Sequence, residues 1–376
     1  MTSDFDDIRA YRDDEAKAVM TKLIKSRPQI SSIRSAITKG AFSKWYLYES
    51  LLFNWFKIKR FQINSIYDFQ KKITRRGLKM LLRNSCAGFT LSGIENLNPN
   101  LGYFFISNHR DIVLDAALLS YALFNNKIKT PHIAFGDNLI ENQFIGDLMR
   151  VNKGFIVHRN LPMREQFRSS QKLSSYINSL LDSNESVWIA QRDGRSKDGS
   201  DKTKATILKM LTFIGKEKRI SFYDVVKGYH IVPISISYEI DPCDKMKAIE
   251  LASIDEFQTY KKKPYEDLNS IITGIKGYKG KIHLAIGKEV TINENEDENA
   301  LASAIDIEIH KNYHLYPLNY LAHDRLNNKF EFASHYGKKE EEVLASRLEG
   351  LSPREVHFLL LQYANPVENK IREGLF

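Results

Sequence analysis

The 376-residue sequence predicts an α/β fold: a mostly parallel central sheet flanked by helices, with a helical N-terminal region and a helical C-terminal tail. Two observations carry this. From about residue 95, short apolar runs rich in β-branched and aromatic residues recur, and longer stretches with helical spacing separate most of them. Strands that alternate with helices indicate a parallel sheet with crossovers. Before about residue 90, charged and apolar residues alternate at helical spacing instead. The apolar content of 43% is ordinary for a chain that buries a real core.

The strand candidates are GYFFIS (102–107), PHIAF (131–135), GFIVH (154–158), SVWIAQ (186–191), HIVPISIS (230–237) and KIHLAIG (281–287). The helix candidates among them are 115–125, 138–150, 162–182 and 203–214. Residues 240–280 are less regular. Pro28 and Gly40 are the expected breaks of the N-terminal helices. The stretch ENEDENALASAIDIEIHKNY opens the tail, with breaks expected at Pro317, Gly337 and Pro353. The organisation expected is a helical, basic, membrane-proximal region over 1–92, an α/β domain over 93–295, and a helical extension packed on the core over 296–376.

The formal net charge of +9 is unevenly placed. Residues 31–90 hold twelve Lys and Arg against Glu49 and Asp68, a local net charge of +10. Aromatics interleave with these cations in KWYLYESLLFNWFKIKRF, Lys44 to Phe61. No apolar run reaches the ~18 to 20 residues that a spanning helix needs. The stretch fits an interfacial helix, with rings and Leu toward the acyl boundary and cations toward anionic head groups. A helix packed on the protein body with a solvated basic rim is the plainer reading. Basic plus aromatic is also a nucleic-acid signature, and it is the weakest of the three here. Cys86 and Cys243 are far apart and outside any CxxC pattern, which suggests a reducing compartment with no disulfide framework and no zinc cluster. The acidic, polar start MTSDFDDIRAYRDDE does not read as a secretory signal. The expectation is a cytoplasmic protein, peripherally held at the inner face of a membrane.

In open α/β sheets, chemistry collects at the carboxyl ends of the strands. Three predicted strand ends are polar. ISNHRDIVLDAALLSYALF (106–124) sets Asn108, His109, Asp111 and Asp115 between two apolar runs. KGFIVHRN (153–160) ends on His158 and Arg159. VWIAQRDGRSKDGSDKT (187–203) ends in a loop with Arg192, Gly194, Arg195, Ser196, Lys197 and Lys202. Arginine forks suit phosphate, and a histidine held by a carboxylate suits general-base work. Each part also has a plain reading. A lone strand-end histidine is ordinarily just a satisfied side chain, Arg159 an ion-pair residue, and RSKDGSDKT a solvated turn. Asn108 reads as a helix cap.

These segments resemble the glycerolipid acyltransferases, which include glycerol-3-phosphate and lysophosphatidic acid acyltransferases. NHRDIVLD is similar to their first block, a His, four residues and an Asp. GFIVHR is similar to the second, a strand that ends in Arg. RDGRSKDG occupies the slot of the third, Glu-Gly-(Thr or Gly)-Arg-Ser, and IVPISISYE (231–239) that of the fourth. The four blocks run in order over roughly residues 100 to 240, and the tail segment IEIHKNYHLYPLNYLAHD also resembles members of the superfamily. There are two departures. The aspartates after His109 fall at +2 (Asp111) and +6 (Asp115), where the family has +5. Arg192 stands where the family has Glu, with Asp193 one position later.

The resemblance implies direct acyl transfer with His109 as general base, from acyl-CoA or acyl-carrier protein, without metal or other cofactor. Asp115 is the favoured orienting carboxylate, because DAALLSYALF opens its helix as the family aspartate does and a turn absorbs an extra residue more easily than a helix. Asp111 is then a cap or an acceptor-site residue. Arg159 and Arg195 would grip the acceptor phosphate, with Lys197 outside them and Arg192, Gly194 and Ser196 in the same loop. The expected partners are the acyl donor and an anionic membrane surface, with no nucleic acid and no metal. Alternatives are transfer to a different lipid acceptor, such as an acylated amino acid, or a non-catalytic basic module that binds membrane or nucleic acid. A metallophosphoesterase is disfavoured, since FGDN (135–138) follows the Asn-His pair instead of preceding it.

Overall fold

A computed structural model of the chain describes residues 4–26, 54, 57–140, 142–159, 161–213, 215 and 219–376. Seven strands form one sheet: β1 (Gly88–Ser92), β2 (Phe104–Ser107), β3 (His132–Gly136), β4 (Gly154–Val157), β5 (Val187–Ala190), β6 (Ile231–Tyr238) and β7 (Lys281–Ile286). Their order across the sheet is β1-β7-β6-β2-β5-β3-β4. The strands β2 to β6 run parallel, β7 is antiparallel to β6, and β1 is parallel to β7. Every residue of β2 and β6 is buried, so these central strands read as unbroken apolar runs instead of alternating ones. Pro233 lacks an N–H, but it sits centrally in β6 and its carbonyl accepts from Gly287 N at 2.8 Å.

Helices cover both faces. On one face lies α2 (Arg75–Ser85) beside α3 (Leu114–Asn125); a first helix, α1 (Ala16–Lys25), precedes them. Leu78 of α2 and Leu114, Leu118, Leu119 and Leu123 of α3 pack on Phe105, Trp188, Val232 and Ile234. α1 has its own small core, in which Val19 and Leu23 join Phe69 and Val151 beside α4 (Gln143–Arg150). On the opposite face, α5 (Met163–Asp182), α6 (Ala205–Leu211) and, further along, α10 (Glu298–Asn312) bury Leu173, Ile177, Leu208, Leu301 and Ile305 against Phe104, Ile106 and Ile189.

Further helices are α8 (Asp244–Phe257) and α9 (Glu266–Lys276) before β7, and α11 (Pro317–Asn327), α12 (Lys338–Leu348) and α13 (Pro353–Arg372) in the tail. A short helix, α7 (Phe222–Val226), precedes β6. A separate core of Ala248, Leu318, Leu321, Leu344, Leu359 and Tyr363 joins the tail to α8. Pro317 and Pro353 are first residues of helices, where a missing N–H costs nothing, and Gly337 is an N-cap. The three expected breaks are therefore helix starts.

Two elements differ from the sequence reading. β1 lies inside the segment read as wholly helical; it is a half-buried edge strand whose run GFTLS carries a weak signal. Residues 240–280 hold α8 and α9, whose apolar residues are too interrupted to show a stripe. Most of KWYLYESLLFNWFKIKRF, with Pro28 and Gly40, lies outside the described residues. Among the described residues no helix is long and apolar enough to cross a membrane.

Candidate active site

The five parallel strands end at one edge of the sheet, and the polar residues singled out in the sequence follow those ends. β2 stops at Ser107. Asn108 then ties it to its neighbour: its Oδ1 accepts from Ile236 N (2.8 Å) and its Nδ2 donates to Ile236 O (3.0 Å) and Asp201 Oδ2 (3.2 Å). Asn108 is thus a bridge between strand ends and not the helix cap expected from its type.

His109 comes next, at the turn into α3. Its Nδ1 lies 2.9 Å from Asp115 Oδ2. The same oxygen accepts from Arg110 N (2.6 Å) and Asp111 N (2.9 Å), and Tyr238 Oη donates to Asp115 Oδ1 (2.8 Å). Four donors on a fully buried carboxylate fix its position, and that position fixes the imidazole. The His109 ring also meets Trp188 edge-on at 5.8 Å, and 13% of its side chain reaches solvent. No protein partner contacts Nε2 among the described residues. Burial, followed by the charge of Asp115, pushes the Tyr238 hydroxyl well above its ordinary pKa of 10, so it stays a donor.

Asp111 does not touch the ring. Its Oδ1 accepts from Val113 N (2.9 Å) and Leu114 N (2.8 Å), the first free amides of α3. Burial and then the charge of Asp115 raise its pKa above the usual carboxylate value. It faces α9 so closely that a Cβ at Gly274 would lie 2.0 Å from its Oδ2.

The strand β5, next to β2, leads into the loop with the arginines. Neither Arg192 nor Arg195 forms an ion pair among the described residues, and Arg192 Nε and Arg195 Nη1 are buried without a partner. Arg195 Nη2 donates to Ser270 Oγ of α9 at 3.3 Å. Ser196 is fully buried with Oγ unpartnered, and its N donates to His109 O at 2.7 Å, which joins the two segments directly. Gly194 takes φ +70°, a left-handed turn that suits glycine. Lys197 is engaged elsewhere, 2.5 Å from Glu250 of α8. Asp193, the only acid in the slot where the family has Glu, is exposed and pairs with Lys204 at 3.2 Å.

Arg159 follows β4, two strands beyond β5. Its N bonds Asp137 Oδ2 at 3.2 Å, its side chain lies over Gly136, and it is exposed. A strand spacing of ~4.8 Å puts the ends of β2 and β4 about 14 Å apart. The intervening end of β3 carries Asn138, which bonds Asp267 of α9 at 2.9 Å.

Sequence reasoning missed Arg110, Asp201, Tyr238 and Ser270. Burial alone would lower the Arg110 pKa, but the Asp201 carboxylate 2.6 Å away outweighs it and keeps the guanidinium charged. The signal for Tyr238 was present: it ends the longest β run, where side chains meet the strand-end chemistry of β2.

An imidazole with one nitrogen on a buried carboxylate and the other open can take a proton from a hydroxyl. Two guanidiniums without an ion-pair partner among the described residues, in the loop whose Ser196 N bonds His109 O, can hold an anion. The family model for Acyltransferase matches residues 88–237, the stretch from β1 to the end of β6. Over this stretch the chain is similar to the acyltransferases.

A glycerol-3-phosphate acyltransferase of Pseudomonas syringae pv. tomato is 26% identical over 211 residues, 54% of this chain and 23% of that protein. One of Pseudoalteromonas translucida is 28% identical over 240 residues, 61% of this chain and 27% of that protein. The chain thus spans about a quarter of the length of these curated relatives. The crystal structure of a 1-acyl-sn-glycerophosphate (LPA) acyltransferase from Thermotoga maritima covers 77% of this chain and 94% of its own, at 13% identity and a TM-score of 0.39, a likeness too low to bear on the site.

Proposed function

We propose that this chain moves a fatty acyl group from the thioester of acyl-carrier protein or acyl-CoA to a hydroxyl of a glycerol-phosphate-type acceptor, glycerol 3-phosphate or lysophosphatidate. His109 Nε2 accepts the proton of the acceptor hydroxyl. The oxygen attacks the thioester carbonyl, a C–O bond forms, the C–S bond breaks, and the thiolate leaves with the proton from His109. Asp115 orients the ring and stabilises its cation. A base of this kind contributes roughly 10²- to 10⁴-fold in rate, and positioning supplies much of the remainder. Arg195 and Arg192 hold the acceptor's phosphate, and Arg159 bounds the far side of the site.

The observation that supports this most is the pairing of His109 with Asp115 at 2.9 Å next to unpaired Arg192 and Arg195 in a loop bonded to His109's own carbonyl. The relatives named glycerol-3-phosphate acyltransferase favour that acceptor. The test is to incubate the purified protein with labelled acyl-CoA and acyl-carrier protein against both acceptors and an acylated amino acid, and to identify the product. Acylated glycerol phosphate is expected; an acylated amino acid alone would reassign the acceptor, and no acylated product would end the reading.

A further inference from the structure

The loop from Gln191 to Lys204 has neither helical nor strand backbone. Its carbonyls therefore need partners from elsewhere. Four consecutive ones find them in the C-terminal tail. Asn365 Nδ2 donates to Asp198 O (2.7 Å), Asn369 Nδ2 to Gly199 O (3.3 Å) and Ser200 O (3.1 Å), and His310 Nε2 lies 3.0 Å from Asp201 O. Further on, Thr203 N donates to Asp306 Oδ1 (2.8 Å). Asn369 and His310 are almost fully buried, and the other His310 nitrogen rests on Glu373 at 2.6 Å.

The backbone of α13 approaches closely as well. Gly199 has φ +79°, and a Cβ there would lie 2.5 Å from Gln362 O. Asp201 is held at φ +44°, a strained conformation for a non-glycine residue. On its inner side the loop meets the His109 segment, through Asp201 to Asn108 and Arg110 and through Ser196 N to His109 O. The loop is therefore held between the tail on one side and the exit of β2 on the other.

We propose that α10 and α13 belong to the anion-binding machinery. His310, Asn365 and Asn369 are positioning residues that fix the loop and, through it, the guanidiniums of Arg192 and Arg195. This rests on the reading that those arginines bind the acceptor's anion. It gives the tail, which lies beyond the matched residues 88–237, a part in acceptor binding. The tail bonds hold a loop without regular structure, so losing them should loosen the arginines before it loosens the sheet.

The test uses Asn365→Ala, Asn369→Ala, His310→Ala and His310→Gln, the last keeping an N–H donor for Asp201 O. The acceptor KM should rise about tenfold in the alanine variants, since small misplacements of binding groups are costly, while the donor KM stays near that of wild type. His310→Gln should recover part of the loss. Combined with Arg195→Ala, Asn369→Ala should add little, because the two act through the same contact.

Hydrogen–deuterium exchange, measured well below each variant's melting temperature, should be faster for peptides over 192–203 and unchanged for the sheet. Unchanged exchange in the loop, an equal rise in both KM values, or full additivity with Arg195→Ala would overturn the proposal. Exchange needs no turnover. A wild type that transfers no acyl group would remove the acyl-transfer reading and leave the clamp to stand or fall on loop exchange.

Discussion

Asp115 and Asp111 are four residues apart, both are buried, and their surroundings give them opposite work. Asp115 collects a ring nitrogen, two amides and a tyrosine hydroxyl, whereas Asp111 collects the first amides of α3. In Asp115→Asn, the amide oxygen can keep the amides and the ring while its NH2 turns to Tyr238, whose hydroxyl can also accept. The geometry survives and the negative charge does not. The imidazolium formed during transfer then loses its counter-charge, and kcat should fall by about 10²- to 10⁴-fold. In Asp111→Asn the oxygen that caps α3 remains. The residue also loses a charge that burial and Asp115 already disfavour, so kcat should change less than about tenfold and stability should hold or rise. His109→Ala should abolish nearly all turnover with little change in melting temperature. A kcat comparison decides: if Asp111→Asn proves the more damaging of the two, the catalytic pair becomes His109 and Asp111.

At the scale of elements, the six strands from β2 to β7 and the four helices between them could be read directly, because a strand buried on both faces is a short apolar run and a surface helix repeats its apolar residues. The third strand-end segment was also legible as an arginine loop. Its support was not, since residues that hold a loop from more than a hundred positions away leave no local pattern. The same holds for α9, which brings Ser270 to Arg195 and Gly274 to Asp111. Asn108 misled for a related reason: its type suits a cap, but its amide matches the free edge of β6.

Two predictions belong to this scale. Arg195→Ala and Arg192→Ala each remove a charge-assisted contact worth roughly 1.5–3 kcal/mol, so the acceptor KM should rise at least about tenfold and the donor KM should not. A rise in donor KM alone would move the anion site to the lysines. The second concerns Asp306 of α10, which burial pushes from 3.8 up to about 6. The folded protein then holds a proton that the unfolded chain has released. Its stabilising contribution is present below about pH 4 and is lost as pH rises to about 6. Asp306→Asn keeps an acceptor for Thr203 N–H and removes that titration. Its stability relative to wild type, from urea melts, should improve between about pH 4.5 and pH 7. A difference that does not vary with pH would remove Asp306 as the source.

For the whole molecule the deciding quantity is charge against exposed apolar surface. The net charge is +9, and residues 31–90 alone carry +10. Among those described, Arg76, Lys79 and Arg83 share a face of α2 with Met80, which is 60% exposed, and form no ion pair with a described carboxylate. Ile58 and Phe61, 67% and 75% exposed, stand among Lys57, Lys59 and Arg60. Apolar side chains set among unpaired cations suit a surface whose head groups are anionic and whose interior takes the apolar groups. Each cation near such a surface contributes about 1 kcal/mol, a contribution that salt screens over a Debye length of about 8 Å at physiological ionic strength. The protein should therefore float with vesicles containing phosphatidylserine or phosphatidylglycerol at low salt, dissociate as salt is raised, and ignore vesicles of phosphatidylcholine alone. Reversing Arg76, Lys79 and Arg83 to Glu should weaken flotation without lowering turnover on a soluble acceptor such as glycerol 3-phosphate. Flotation that is indifferent to salt and lipid charge, or a protein left in the pellet with anionic vesicles at low salt, would refute peripheral electrostatic binding.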